Sequence, residues 1–212
     1  NSAMKKTPAF WNVLSEMDKK CVVVNYPVSY PPESINGTMV SGMLTPDTDS
    51  EFVTPSSEKK RFLEASGGKY KIFLSTPFEG NGDGFLDDAL ETMRTRADTV
   101  LEYASNVDWD MLAVVFMGVD NASHMFYHVF DENHPKHSEA KKAGMRDGLT
   151  ESYVEADRIL GRFRKKLSPD VVMALSDHGF GPLHYYVNLN YVLKKAGYLK
   201  HSLKALIAKN KE

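Results

Sequence analysis

The apolar run Met111-Leu-Ala-Val-Val-Phe-Met117 lies between two long helical patterns and decides the fold class. A short, continuously apolar run of this kind is typical of a strand buried inside a parallel sheet. Helical periodicity covers residues 85–105 before it and residues 149–166 after it. Other strand-like runs cover residues 21–25, 38–44, 70–74 and 170–175. Because helices and apolar strands alternate, we predict an α/β fold with a mainly parallel sheet and helices on both faces.

The two helical patterns also predict which side chains face the core. Residues three and four positions apart share one face of a helix, so each pattern defines an apolar stripe. In the first helix the stripe contains Leu86, Leu90, Met93, Ala97, Val100, Leu101 and Ala104. In the second helix it contains Tyr153, Ala156, Ile159, Leu160 and Phe163. A further short helix is predicted for residues 190–196.

Composition narrows the class of protein. The chain has 212 residues with 42% hydrophobic and 25% charged residues, which is ordinary for a globular protein with one sizeable core. A net charge of -2 argues against nucleic-acid binding. No apolar run approaches the roughly 18 residues of a membrane span. The polar start and the single cysteine, Cys21, predict a cytoplasmic location. We interpret residues 1–3, before Met4, as an expression remnant, and residues 200–212 as a lysine-rich helical tail or continuation.

An acidic residue and a histidine follow the predicted strand 170–175, in the sequence Ser176-Asp177-His178-Gly179. Open α/β sheets bind their ligands at the carboxyl ends of strands, where this motif lies. A carboxylate and an imidazole together suit zinc, manganese or iron. The alternative is a plain turn, in which Asp177 caps the backbone and His178 is solvated.

A second such pair follows the run 111–117. Asp120 and His124 are four residues apart, so on a helix they share one face and can chelate one cation. The alternative is that Asp120 is a helix cap and His124 a surface residue. His128 follows one turn further along the helix and lies partly off the face that Asp120 and His124 share. Parallel strands direct all carboxyl ends the same way, so the two pairs can converge. Two cations held in this way form a clamp suited to phosphoryl displacement.

These motifs resemble the type I phosphodiesterase/nucleotide pyrophosphatase family of the alkaline phosphatase superfamily. The resemblance is carried by Phe116-Met-Gly-Val-Asp120-Asn-Ala-Ser-His124 continuing to His134-Pro135, and by Ser176-Asp-His-Gly-Phe-Gly-Pro182. Upstream, Thr7-Pro-Ala-Phe-Trp-Asn-Val-Leu14, Asn25-Tyr-Pro-Val-Ser-Tyr-Pro-Pro32 and Ser41-Gly-Met-Leu-Thr-Pro46 resemble its microbial members. The similarity spans most of residues 7–199.

The resemblance implies hydrolysis of phosphodiester or nucleotide pyrophosphate bonds at two divalent metal ions, usually zinc, with manganese as the alternative. Asp120 and His124 match the ligands of one metal, and Asp177 and His178 match those of the other. His134 matches a recurrent His-Pro without an assigned role. The substrate is a small phosphate ester or nucleotide, with no nucleic-acid or membrane partner, and the residues that bind it are not identified.

The family's nucleophilic Ser or Thr lies upstream of the segment resembling residues 7–14, and no catalytic nucleophile is assigned in this chain. A third metal-binding histidine expected downstream has no match either. We therefore expect residues 4–199 to be a partial alkaline-phosphatase-like domain, incomplete at both ends. It would follow that metal occupancy is doubtful and that the fragment has negligible activity. It would also follow that the fragment dimerises through an exposed sheet edge.

Two other functions remain open. One is another reaction of the superfamily, by a phosphomutase or a sulfatase; Cys21 is followed by three valines and does not fit the Cys-x-Pro-x-Arg setting of a sulfatase. The other is a non-catalytic α/β binding domain in which the Asp and His residues are structural.

Overall fold

The computed structural model, which describes residues 2–77 and 82–200, contains a four-stranded sheet with the order β3-β2-β1-β4. The strands are β1 (Cys21–Tyr26), β2 (Gly37–Ser41), β3 (Val53–Thr54) and β4 (Met111–Val114). β1 pairs in parallel with both β2 and β4, and only the short β3 is antiparallel. The prediction of a mainly parallel sheet is confirmed.

Helices cover both faces of this sheet. The α-helices that the structure describes are α1 (Phe10–Glu16), α2 (Ser57–Ala65), α3 (Gly82–Ala104), α4 (Gly118–Phe130), α5 (His137–Lys142), α6 (Gly148–Leu167) and α7 (Leu189–Lys195). Side chains alternate along β1, so Cys21 and Val23 pack with Trp11 of α1. On the opposite face Val22 and Val24 pack with buried residues of α2 and α3. The apolar stripe predicted for α3 is buried along its whole length.

The core face of α6 differs from the prediction. Tyr153 is 61% exposed and Leu160 is 36% exposed, whereas Ser152 and Glu155 are buried together with Ile159. The polar residues are tolerated because they have partners within the fold. The Arg94 guanidinium donates to Glu155 across 2.7 Å, and the Ser152 hydroxyl donates to the carbonyl of Leu149 at 2.8 Å. Paired polar groups can occupy a core face that periodicity assigns to apolar ones.

The strand predicted for residues 70–74 is wrong. Tyr70 and Ile72 are buried as an apolar run should be, but none of the described strands pairs with the segment. Side chains of α3 satisfy its backbone instead: Arg96 donates to the carbonyls of Lys71 and Ile72, both at 3.1 Å. Just downstream, the Asp88 carboxylate accepts the amide protons of Ser75 and Thr76 at 2.6 and 2.7 Å. Backbone groups that are satisfied by side chains do not need a sheet.

The strand predicted for residues 170–175 is also wrong. This segment forms no hydrogen-bonded ladder with any part of the chain that the structure describes, and Val171 and Leu175 are 78% and 85% exposed. Strand propensity reflects packing against neighbouring strands, so an apolar run without such a neighbour has no reason to become a strand. Within the described residues, β4 is the last strand on this side of the sheet.

The chain divides into two compact units, with the boundary after Phe180. In the second unit, α7 confirms the predicted helix near residues 190–196, and the Asn188 side chain caps it by accepting the Tyr191 amide proton at 3.0 Å. Of the predicted tail, residues 201–212 lie outside the described residues. No described helix is long and apolar enough to cross a membrane.

Candidate functional site

Helix α4 carries the first of the predicted metal-binding pairs. Asp120 lies in its first turn, and His124 follows one turn later on the same face. The Asp120 Oδ1 atom is 3.6 Å from His124 Nε2, and the two side chains are 32% and 55% exposed. The predicted helix and the spacing of the pair are therefore both present, and both side chains remain accessible to a ligand.

The second pair lies beside the first. His178 Nε2 is 3.8 Å from Asp120 Oδ1 and 3.8 Å from Asp177 Oδ1. The Asp120 carboxylate therefore stands between two imidazoles, and His178 stands between two carboxylates. All four predicted ligands form one continuous series in the order His124, Asp120, His178 and Asp177. The exposed segment that carries Asp177 and His178 reaches the carboxyl end of the sheet without being a strand itself.

The backbone around His178 fixes which ring nitrogen faces the carboxylates. His178 Nδ1 lies 2.9 Å from the carbonyl oxygen of Gly179. A carbonyl can only accept, so Nδ1 carries the proton and donates it, and in the neutral ring the lone pair of Nε2, 3.8 Å from both carboxylates, is available to a cation. A histidine held in this way is the usual form of a metal ligand. The Gly179 carbonyl, followed by the charges of Asp177 and Asp120, raises the pKa of His178.

Phe180 joins the two halves of the site. Its ring meets the His124 imidazole edge-on, with centroids 4.8 Å apart and planes at 90°. It also contacts Tyr127 of α4 at 5.7 Å. Edge-to-face aromatic pairs at these distances stabilise by about 0.5–1.5 kcal/mol beyond the area they bury. Sequence reasoning did not single out Phe180, although an aromatic residue two positions after His178 is a detectable signal.

The predicted donors fit a metal ion in chemical type, and they lie close together in pairs. Two ligands of a tetrahedral zinc, each about 2.0–2.1 Å from the metal, lie about 3.3 Å apart. The separations of 3.6 and 3.8 Å around Asp120 are a few tenths of an ångström longer. Over residues 2–77 and 82–200, no group of three or more His, Cys, Asp or Glu side chains is arranged to hold a metal ion. Each of the two predicted metal sites thus has two donors among the described residues.

His128 and His134 lie together at the end of α4. Their ring centroids are 5.9 Å apart, and His134 Nδ1 accepts the Lys136 amide proton at 3.1 Å. Burial lowers the pKa of His128, and the nearby His134 and Lys136 lower it further. The tertiary structure thus brings the recurrent His-Pro histidine beside His128.

Comparison with known proteins identifies the family. No curated protein and no solved structure matches the chain. A family model described as type I phosphodiesterase / nucleotide pyrophosphatase matches residues 2–211, which is essentially the whole sequence. The chain therefore belongs to the type I phosphodiesterase/nucleotide pyrophosphatase family.

Proposed function

We propose that the protein hydrolyses phosphodiester or nucleotide pyrophosphate bonds with two divalent cations, one bound through Asp120 and His124 and the other through Asp177 and His178. Membership of a family of phosphodiesterase-type hydrolases supports the reaction class. The observation that carries the proposal is the position of the Asp120 carboxylate, 3.6 and 3.8 Å from the Nε2 atoms of His124 and His178. Through it, two separate pairs become one site. Zinc is the preferred ion and manganese the alternative, since both accept mixed nitrogen and oxygen ligands.

The carboxylates and the imidazoles of the four proposed ligands have different tasks in this scheme. When bound, divalent cations polarise the phosphoryl oxygens and stabilise charge on the leaving group. Asp120 and Asp177 supply negative charge that offsets the cations, and the exposed His124 leaves the site open to a substrate. The Gly179 carbonyl keeps the Nδ1 proton of His178 in place, so that Nε2 stays free to bind.

In this proposal the nucleophile comes from outside the chain, as the family resemblance implies. The hydroxyl groups that could be mistaken for it have other partners. Ser41 Oγ and Thr45 Oγ1 are buried and lie 2.8 Å apart, and the Ser176 hydroxyl donates to the carbonyl of His178. The isolated chain should then bind metal weakly and have negligible activity, because each cation has two protein ligands instead of about three or more.

The test is hydrolysis of bis-p-nitrophenyl phosphate and of nucleotide substrates by the protein encoded by the whole gene, with zinc or manganese added. Asp177→Ala should lower kcat/KM at least 100-fold, because losing a carboxylate ligand lowers the affinity of the site for its metal ion. Asp170→Ala is the matched control, since it removes another exposed aspartate from the same segment. Equal activity of the two variants would refute the site. Nucleotide binding without hydrolysis would favour the non-catalytic binding domain.

The sheet edge supports a second element of the proposal, a homodimer. Among the described strands β4 is at the end of the sheet, and all four of its residues are partly exposed. An unpaired edge of this kind is a template for pairing with another chain. Light scattering should therefore give a mass that rises toward twice 23.8 kDa with concentration. A constant monomer mass up to about millimolar concentration would refute it.

A further inference from the structure

Asn25 has an unusual backbone conformation at the carboxyl end of the central strand β1. It is 1% exposed, its φ is +62°, and it lies where the register with β2 shifts between Val24 and Tyr26. A bulge of this kind redirects a side chain, and asparagine tolerates the left-handed region better than most residues. Here the side chain turns sideways along the sheet, and Nδ2 donates to the carbonyl of Val115 at 3.1 Å.

Only the donor half of this amide is used. Within the described residues, the buried Oδ1 of Asn25 has no hydrogen-bond partner. An unsatisfied buried acceptor costs about 1–3 kcal/mol, so the fold keeps the amide at a penalty. Among the described residues, the bond to Val115 is the hydrogen bond that this side chain makes.

Arg96 of α3 reaches the same carbonyl from the other side. Its Nη1 donates to Val115 O at 3.4 Å, while Nη2 donates to the carbonyls of Lys71 and Ile72. The side chain is buried, with 3% of its surface exposed. A buried guanidinium with carbonyl partners holds backbone in place.

Val115 is the residue from which the chain leaves β4 toward the candidate site. Its amide also donates to Val24 O at 3.0 Å, so β1 and α3 together fix both of its backbone polar groups. Three residues later α4 begins at Gly118, where an added Cβ would lie 2.2 Å from the sulfur of Met93. The connection between Val115 and Asp120 therefore has little freedom to shift.

We propose that Asn25 and Arg96 are positioning residues, which hold the Val115 carbonyl and thereby set the place of the Asp120–His124 pair at the carboxyl edge of the sheet. The role in metal binding rests on the proposed function. The role of Asn25 and Arg96 in fixing the backbone between Val115 and Asp120 does not depend on the proposed function. Loss of a partner that orients a metal ligand commonly lowers metal affinity about 10–100-fold.

The experiment compares Asn25→Gly, Asn25→Ala and Asp18→Ala in the protein encoded by the whole gene. Asn25→Gly removes the amide and leaves a residue at ease with positive φ, whereas Asn25→Ala adds backbone strain. Asp18→Ala is the control for strain alone, because Asp18 is exposed, has a φ of +58° and lies at the end of α1. Urea unfolding identifies conditions in which every variant is folded.

Two readouts are taken. Hydrogen exchange of peptides covering residues 116–124 should be at least 10-fold faster in both Asn25 variants and unchanged in Asp18→Ala. Cobalt titration, followed by its visible absorption, should give an affinity 10–100-fold lower in both Asn25 variants.

The two readouts separate failure of the inference from failure of the proposed function. Unchanged exchange in Asn25→Gly, or changes that occur only in Asn25→Ala, would overturn the inference. The inference would also be overturned if Asn25→Gly bound cobalt with wild-type affinity while Asp120→Ala abolished binding. In that case the proposed function would still stand. If Asp120→Ala binds cobalt as well as the wild type does, the metal site fails, and the exchange data alone decide the positioning.

Discussion

Two glycines of helix α6 provide a direct test of how α6 packs on α4. Gly148 is the first residue of α6, and a Cβ built on it would lie 2.6, 2.7 and 2.9 Å from three ring carbons of Phe126. Phe126 is 1% exposed within a cluster of apolar residues from α3, α4 and α5, so its ring has no free space to move into. Gly161 of the same helix has nothing within 4 Å of its added Cβ.

The same substitution should therefore have opposite effects at the two positions. Gly161→Ala should raise the free energy of unfolding by about 0.8–1 kcal/mol, the difference in helix propensity. Gly148→Ala should lower it by about 1–3 kcal/mol, the usual cost of overpacking, because the ring or the helix must move by about 1 Å. For a protein of this size each kcal/mol corresponds to about 2–4 °C in Tm.

Urea and thermal unfolding of both variants measure this difference. A second change, Phe126→Leu, should make the Gly148→Ala substitution less costly than it is alone, because the clashing ring edge is gone. If Gly148→Ala were as stable as Gly161→Ala, the packing of α6 on α4 would be refuted. Because Phe126 and the Asp120–His124 pair share α4, a shifted ring should also weaken metal binding in the protein encoded by the whole gene.

Three further outcomes test the core and the site. Asp88→Asn should cost about 1–3 kcal/mol, because a carboxylate that accepts two backbone amide protons is lost. Although burial opposes it, these bonds and Lys71 lower the pKa of Asp88. The stabilisation by the Asp88 carboxylate is therefore fully present above the unfolded pKa of about 3.9 and disappears as pH falls through the lower folded pKa. Urea unfolding from pH 7 to pH 2 should show that the free energy of unfolding falls less steeply with acid in the variant than in the wild type. Glu155→Gln should lower the free energy of unfolding, measured in urea, by about 1 kcal/mol, which is a small value because Arg94 is half exposed. Asp157→Asn on the same helix should leave the free energy of unfolding unchanged. Phe180→Ala should weaken cobalt binding several-fold by titration of the protein encoded by the whole gene. Equal weakening by Phe130→Ala, which removes an exposed ring at the end of α4, would contradict a specific role of Phe180.

The sequence alone predicts the elements whose information is local. Residues 21–25 and 111–117 are apolar runs of strand length, and both become neighbouring parallel strands. The stripe of α3 is buried as periodicity predicts, because one face of a helix is defined within the helix itself. The position of Asp120 and His124 on one face of α4 likewise needs only helical geometry.

Tertiary structure decided what depends on partners distant in the sequence. Residues 70–74 read as a strand, but Arg96 and Asp88 of α3 satisfy the backbone of residues 71–76, which no local pattern indicates. Glu155 is buried in α6 because Arg94 neutralises it. The meeting of Asp120 with His178, 58 positions later in the chain, depends on the path of residues 170–180 and on the contact of Phe180 with His124. Periodicity and spacing are properties of a segment, whereas hydrogen-bond satisfaction and convergence are properties of the folded chain.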